Sequence, residues 1–194
     1  MKQIIVGITG ASGVIYGIRF LEVLRELNIE THLILTGVAK KNILIETKFT
    51  VEKVEELAYK VHGIEDLAAP ISSGSFKTDG MVIAPCTIKT LSGVAHSYNE
   101  NLLIRAADVT LKEGRRLIVV VRETPLHMGH LELMYKVAQL GGVILPPIPA
   151  FYHFPRRIED LIDHTIGKIL DLMEIDHSLY KRWEGVAKRK KEDF

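Results

Sequence analysis

The sequence predicts an α/β fold in three layers, a mainly parallel sheet with helices on both faces. Three observations carry that prediction. Short apolar runs rich in β-branched residues alternate with longer stretches whose apolar residues recur at helical spacing. The short runs are apolar throughout, as strands covered on both faces are, and do not alternate with polar residues. The first of them leads through a turn of small residues straight into a helix.

That first unit spans residues 2–20. Ile4, Ile5, Val6 and Ile8 make a buried strand, Thr9-Gly10-Ala11-Ser12-Gly13 breaks it, and residues 14–27 read as a helix. Small residues let a backbone approach an anion closely, and N–H groups at a helix start point at it. Ser12 puts a hydroxyl where an N-cap would sit. Gly7, Gly10 and Gly13 give G-x-x-G-x-x-G, not the dinucleotide fingerprint G-x-G-x-x-G. The second strand, residues 30–35, ends in Thr36-Gly37 where an NAD site places an acidic residue, and Glu30 lies at its wrong end. The turn therefore points to a mononucleotide more than to NAD. Glycines kept for tight packing alone are the alternative.

Residues 38–45 are expected to form a helix ended by Glu46-Thr47-Lys48, and residues 51–61 a second helix. Residues 64–75 are polar and small, closing on Ser72-Ser73-Gly74-Ser75. Residues 81–84 are a buried strand stopped by Pro85, followed by a loop, Cys86-Thr87-Ile88-Lys89-Thr90, and a helix to about residue 95. Residues 102–112 are helical, with Gly114 as C-cap signal. Residues 117–121 are a strand leaving through Arg122-Glu123-Thr124-Pro125. Residues 131–140 are helical, Gly141-Gly142 stops them, and residues 143–145 are the last strand. Pro146, Pro147 and Pro149 force an irregular path to Tyr152, and residues 158–173 form a long amphipathic helix.

The chain has 194 residues, 47% of them hydrophobic, enough for one domain that buries roughly 70% of its unfolded surface. The expected organisation is a single domain over residues 1–176 and a C-terminal tail over 177–194. The tail docks in part through Trp183 and ends in the frayed basic run Lys188-Arg189-Lys190-Lys191. A net charge of +1 excludes a bulk polyelectrolyte partner, so no nucleic-acid binding is expected. No apolar run is long enough to span a bilayer, and the start of the chain shows no leader pattern. Cys86, the single cysteine, excludes an internal disulfide and fits a reducing cytoplasm. It reads as a small buried hydrophobe, and His127-x-x-His130 as structural or solvated.

In parallel sheets ligands sit beyond the carboxyl ends of the strands. The predicted exits carry Gly10-Ala11-Ser12-Gly13, Thr36, Thr87-Ile88-Lys89-Thr90, Arg122-Glu123 and the Pro-rich turn with Tyr152. Small, hydroxylic and charged residues at five exits of a Rossmann-like sheet mark one polar ligand site.

Several motifs then resemble a known family. They are Gly10-Ala11-Ser12-Gly13 with Tyr16-Gly17, Pro85 to Gly93, Arg105-Ala106-Ala107-Asp108-Val109 with Leu111-Lys112-Glu113, Arg122-Glu123-Thr124-Pro125-Leu126, and Pro149-Ala150-Phe151-Tyr152-His153. In this order, and nearly to Trp183, they resemble the UbiX-type flavin prenyltransferases, long described as aromatic acid decarboxylases. The wider superfamily includes flavin-dependent cysteine decarboxylases, which carry Asn where this chain has Lys89 and a catalytic His shortly before the strand at residues 81–84. Ser72-Ser73-Gly74-Ser75-Phe76 has no His, which favours the prenyltransferase branch.

The resemblance implies that reduced FMN is alkylated by dimethylallyl phosphate, without a metal. The product is prenylated FMN, the cofactor of UbiD-type decarboxylases, and ubiquinone synthesis is the expected pathway. It places Gly10, Ala11, Ser12, Thr36, Thr87, Ile88, Lys89, Thr90 and Arg122 on FMN. It places Tyr152 and Lys168 on dimethylallyl phosphate, with Arg105, Lys112 and Glu123 close by, and gives Trp183 and Tyr152 as π faces for an allylic cation. Ser12 and Glu46 match catalytic positions, Glu46 acting by proton transfer. Family members often carry Arg where this chain has Lys168, which lacks the planar fork. The family forms homo-oligomers, typically dodecamers. By spacing alone Arg105 and Lys112 would be surface charges, Glu46 a helix-end carboxylate and Trp183 a docking residue. An FMN-dependent aromatic acid decarboxylase and a non-enzymatic FMN carrier are the alternatives to prenyl transfer.

Overall fold

The computed structural model describes residues 2–185. Strands β1 (Gln3–Ile8), β2 (Glu30–Leu35), β3 (Lys60–His62), β4 (Gly80–Cys86), β5 (Arg116–Val121) and β6 (Val143–Ile144) form one sheet in the order β3-β2-β1-β4-β5-β6. All neighbouring strands are parallel. The helices are α1 (Val14–Glu26), α2 (Gly37–Glu46), α3 (Val51–Glu55), α4 (Ile88–Ala95), α5 (Leu102–Lys112), α6 (Met128–Gln139) and α7 (Ile158–Leu172). The α/β expectation therefore holds. The chain builds outward from β1 through β2 to β3, then returns to β4 on the other side of β1. That reversal opens a crevice beyond the carboxyl ends of β1 and β4.

The chain divides into two compact units, Met1–Pro147 and Ile148–Phe194. In the first, both faces of the sheet are covered, which is why the strands read as apolar throughout. On one face Ile5, Ile83 and Val119 pack with Leu91 of α4 and with Leu103 and Ala107 of α5. On the other, α1 buries Ile18, Leu21 and Leu24. It approaches closely because residue 17 is glycine: a Cβ there would land on the Ala84 carbonyl oxygen and the Ile8 side chain.

Three local expectations are corrected. The helix expected over residues 51–61 is a single turn, α3, followed by the edge strand β3. The apolar spacing there fits a helix, but the open edge of β2 recruits the segment, pairing His32 with Lys60 and Ile34 with His62. Pro85 does not end β4: the register shifts between Ile83 and Cys86 and the ladder resumes at Cys86 opposite Val121. A shift of that kind is where a strand tolerates a residue without an N–H. Helix α6 begins at Met128, three residues earlier than its apolar pattern indicates, with His127 as N-cap.

In the second unit Asp160 accepts hydrogen bonds from the Arg156 and Arg157 N–H groups, at 2.8 and 3.0 Å, fixing the start of α7. Asp171, near its end, accepts from Tyr180 Oη and Arg182 Nη2, both at 2.6 Å, and contacts His177 Nε2 at 3.1 Å. Desolvation pushes the Asp171 carboxyl up, but the bonds from Arg182, Tyr180 and His177 outweigh it and hold the group well below the usual carboxylate range. The segment after α7 is thereby tied back onto the helix, where Gly167 leaves room for the Tyr180 and His177 rings. The basic run at residues 188–191 lies outside the described residues. No described helix is long and apolar enough to cross a membrane.

Candidate active site

At the crevice, Thr9 joins the tips of β1 and β4. Its buried hydroxyl donates to the Pro85 carbonyl oxygen at 2.7 Å and accepts from the Thr87 N–H at 2.9 Å. Arg122, at the exit of β5, donates its N–H to the Cys86 carbonyl oxygen at 3.1 Å. Three strand ends are thus held in register on one edge of the sheet. The Cys86 thiol is buried and pushed up to about 12 by that burial, so it is no thiolate nucleophile.

Beyond those ends lies a cavity of about 630 Å³, within the range of small-ligand sites. Three helices open onto it. Thr36 caps α2 by accepting from Ala39 N–H at 3.2 Å, Thr87 caps α4 by accepting from Thr90 N–H at 3.2 Å, and Asn101 caps α5 by accepting from Ile104 N–H at 3.1 Å. Each helix start carries partial positive charge, so the convergence favours an anion. Thr87 also donates to the Thr90 hydroxyl at 3.1 Å, which leaves Thr90 its own proton to give. Lys89 reaches Glu100 at 3.4 Å, both on the cavity wall, an exposed pair that contributes little to stability. Gly37 is open on the cavity side, where a Cβ would meet nothing within 4 Å. Donor-rich helix starts around an open cradle fit a nucleotide phosphate and its polyol chain.

Of the residues expected on FMN, Gly10, Thr36, Thr87, Lys89 and Thr90 line this cavity. Ala11 and Ser12 continue the Gly10 loop, Ile88 stands between Thr87 and Lys89, and Arg122 follows β5. The loop after β1 differs from expectation in two ways. The N-cap of α1 is Gly13, at φ 94°, and not Ser12, which is exposed. The N–H groups expected to be open to a ligand are taken: Gly13 N–H donates to Glu46 Oε2 at 2.7 Å, and Val14 N–H reaches the same oxygen at 3.4 Å. One turn earlier on α2, Asn42 Nδ2 donates to the Gly10 carbonyl oxygen at 3.0 Å. Asn42 and Glu46, four apart on one helix face, therefore hold the loop that carries Ser12.

The remaining candidates are placed as follows. Arg105 braces the scaffold, Nε donating to Ser72 O at 3.1 Å and Nη1 to Asp108 Oδ2 at 3.2 Å. Lys112 pairs with Glu113, and Glu123 accepts from Thr124 N–H at 3.1 Å. None of the three lines the cavity. In the second unit Tyr152 Oη lies 3.0 Å from His164 Nε2 and its ring meets Trp183 edge-on at 6.0 Å. Lys168 Nζ lies 3.7 Å from Asp171 Oδ2. Thr9, Asn42, Asn101 and His164 escaped the sequence reading. Only Asn101 had a legible signal, an Asn immediately before a helical run.

Comparison with known proteins decides the family. Residues 1–182 match the flavoprotein family. Flavin prenyltransferase UbiX of Salmonella typhimurium is 53% identical over 188 residues, covering 95% of this chain and all of that protein. The chain belongs to the UbiX-type flavin prenyltransferases. The crystal structure of AnUbiX in complex with FMN and dimethylallyl pyrophosphate superposes with a TM-score of 0.94 at 48% identity, over 95% of this chain and 98% of the other. A dodecameric FMN-dependent UbiX-like decarboxylase from Escherichia coli O157:H7 gives 0.92 at 45%, over 94% and 100%. The cypemycin decarboxylase CypD, at 14% identity and a TM-score of 0.66, shares the fold alone.

Proposed function

We propose that the protein transfers the dimethylallyl group of dimethylallyl phosphate to reduced FMN and releases phosphate, giving prenylated FMN for a UbiD-type decarboxylase. The observation that carries this is the convergence of three capped helix starts, at Thr36, Thr87 and Asn101, on a cavity at the β1/β4 crevice of a flavin prenyltransferase chain. The relative bound to FMN and dimethylallyl pyrophosphate supports the same pair of ligand classes.

Reduced FMN, as co-substrate, supplies the nucleophilic nitrogen and carbon. Gly10, Ala11, Ser12, Thr36, the Thr87-Ile88-Lys89-Thr90 turn and Arg122 hold it, with Arg122 engaging an anionic oxygen through its fork. Ser12 hydrogen-bonds the flavin's central edge. Tyr152 and Lys168 bind the allylic phosphate, and Lys168 stabilises charge that grows on the departing oxygen. The π faces of Tyr152 and Trp183 stabilise positive charge on the allyl group. Glu46 keeps Oε2 on the Gly13 and Val14 N–H groups and uses its second oxygen for proton transfer. The protein works in the cytoplasm as a dodecamer, as its relative from Escherichia coli O157:H7 assembles, and serves quinone synthesis.

The test is mass spectrometry of the flavin after anaerobic incubation of the protein with reduced FMN and dimethylallyl phosphate, and in parallel with the pyrophosphate. The expected product is FMN heavier by one C5H8 unit, with phosphate released. Flavin recovered unchanged overturns the reading in favour of a carrier. Carbon dioxide released from an aromatic acid by this protein alone favours the decarboxylase.

A further inference from the structure

Among the described residues, the cavity at the β1/β4 crevice is lined by two cations, Lys41 on α2 and Lys89 on α4, and by two carboxylates, Glu65 and Glu100. Lys89 Nζ lies 3.4 Å from Glu100 Oε2. Lys40, beside Lys41 on α2, stands outside the lining and pairs with Glu55 at 2.8 Å. Lys41 differs from both. It lines the cavity, and its ammonium takes part in no hydrogen bond or ion pair with a described residue. An ammonium held at a ligand cavity without a carboxylate of its own is available to an anion that enters.

We infer that Lys41 binds the phosphate of FMN and sets the preference of this site for a phosphorylated flavin. This rests on the reading of the cavity as the FMN site. Helix side chains lean toward the N-terminus of their own helix. Lys41 therefore leans toward the start of α2, where Gly37 stands four residues earlier on the same face. Residue 37 has no side chain, and a Cβ there would meet nothing within 4 Å, so the first turn leaves room for the ammonium. Thr36 caps that turn, and the partial positive charge of the helix start adds to the charge of Lys41. In oxidised FMN the phosphate is the only charged group. The ring and the ribityl chain can gain hydrogen bonds here, but the phosphate alone can gain an ion pair. Lys89 meets a phosphate only by loosening its contact with Glu100, whereas Lys41 gives up no partner. The net gain from Lys41 is therefore the larger of the two.

The test is a set of fluorescence titrations of the full chain with oxidised FMN and with riboflavin, which lacks the phosphate. Lys41→Met keeps a long unbranched stem of high helix propensity and removes the charge. It should weaken FMN binding roughly tenfold and leave riboflavin binding unchanged. Lys41→Gln, equally uncharged, should match it, and Lys41→Arg should retain most of the FMN affinity. Lys40→Met removes the same charge one residue away and should change neither affinity. With added salt, FMN affinity should fall less steeply for Lys41→Met than for the wild type. Lys41 is exposed, so both uncharged variants should melt with the wild type. Unchanged FMN affinity in Lys41→Met and Lys41→Gln overturns the proposal. Equal losses for FMN and riboflavin overturn it too, because they place Lys41 against the ring or the ribityl chain. An equal loss in Lys40→Met also overturns it, by reducing the effect to bulk charge. If the wild type binds no flavin, the reading of the cavity fails and this one with it. If the wild type binds and prenylates FMN while the uncharged variants bind FMN as tightly, only the role of Lys41 is excluded.

Discussion

Thr9 uses both its hydroxyl proton and a lone pair, on Pro85 and Thr87, so its isostere valine removes two bonds without changing volume. The Thr87 N–H at the start of α4 loses its acceptor. Thr9→Val should cost on the order of 1–3 kcal/mol in chemical denaturation and weaken FMN binding, because Thr87 caps a helix on the cavity wall. A variant with wild-type stability and flavin affinity would show that the strand tips need no such tie. Glu46 is a residue with two tasks that one substitution separates. Glu46→Gln keeps an acceptor for the Gly13 and Val14 N–H groups but removes the charge, so stability should fall by only about 0.3–1 kcal/mol. Both ligands should bind while product formation slows; unchanged turnover removes Glu46 from the chemistry. The sequence marked Glu46 through resemblance alone. Its contact with Gly13 joins positions 33 apart and depends on how α2 lies beside the loop, a relation no local pattern encodes. Thr9 was hidden for a similar reason, since an exit threonine is ordinary until its partners on β4 are known.

At the scale of elements, α1 and β3 make opposite points. The α1 helix was readable residue by residue, and its Gly17 poses a contest of magnitudes. Alanine in a helix interior is favoured over glycine by about 1 kcal/mol. Here its Cβ would meet the Ala84 carbonyl, which is backbone in a central strand and cannot yield cheaply. Overpacking of that kind costs about 1–3 kcal/mol, so Gly17→Ala should destabilise on balance; a raised melting temperature would show that α1 has room to lift. Strand β3 was misread as helix because its identity comes from the edge it joins. What it contributes is a buried histidine pair, His62 Nε2 lying 2.9 Å from His32 Nδ1. The pair is faced by Tyr59 and Phe76, with Lys60, Glu30 and Asp66 the nearby charges. Desolvation first, then neighbouring positive charge, lowers both histidines below the ordinary value of about 6.5. The unfolded chain takes up protons near that value and the folded pair only at lower pH. Between the two the unfolded state holds more protons, so stability should fall as pH falls. Denaturation midpoints between about pH 7.5 and 5.5 should show the decline, and His62→Gln should flatten it; a variant with the wild-type slope would place the titration elsewhere.

For the whole molecule, the alternation of strands and helices was legible because each parallel strand must be apolar on both faces. The strand order was not, since pairing across the sheet depends on contacts far apart in sequence. Once every strand runs parallel, all exits fall on one edge; the exits of β1, β2 and β4 line the cavity, while Arg122-Glu123 and the Pro-rich turn do not. The second unit was different. Nothing in the spacing of Tyr152, Lys168 and Trp183 marks a phosphate ligand, and their assignment came from family likeness. The two groups of residues therefore make separable predictions. Thr90→Val, within Met1–Pro147, removes a buried hydroxyl donor from the cavity and should weaken FMN binding roughly tenfold with little change in the allylic phosphate requirement. Lys168→Ala, within Ile148–Phe194, should do the reverse. Lys168→Arg should retain activity, because the guanidinium replaces a point charge with a fork suited to phosphate. Lys168 also borders Asp171, whose bonds from Tyr180 and Arg182 pin the segment after α7. Thermal unfolding of Lys168→Ala should therefore be measured beside its kinetics. Equal increases in both requirements with an unchanged melting temperature would mean that Lys168 serves FMN as well, and the division of labour would be lost.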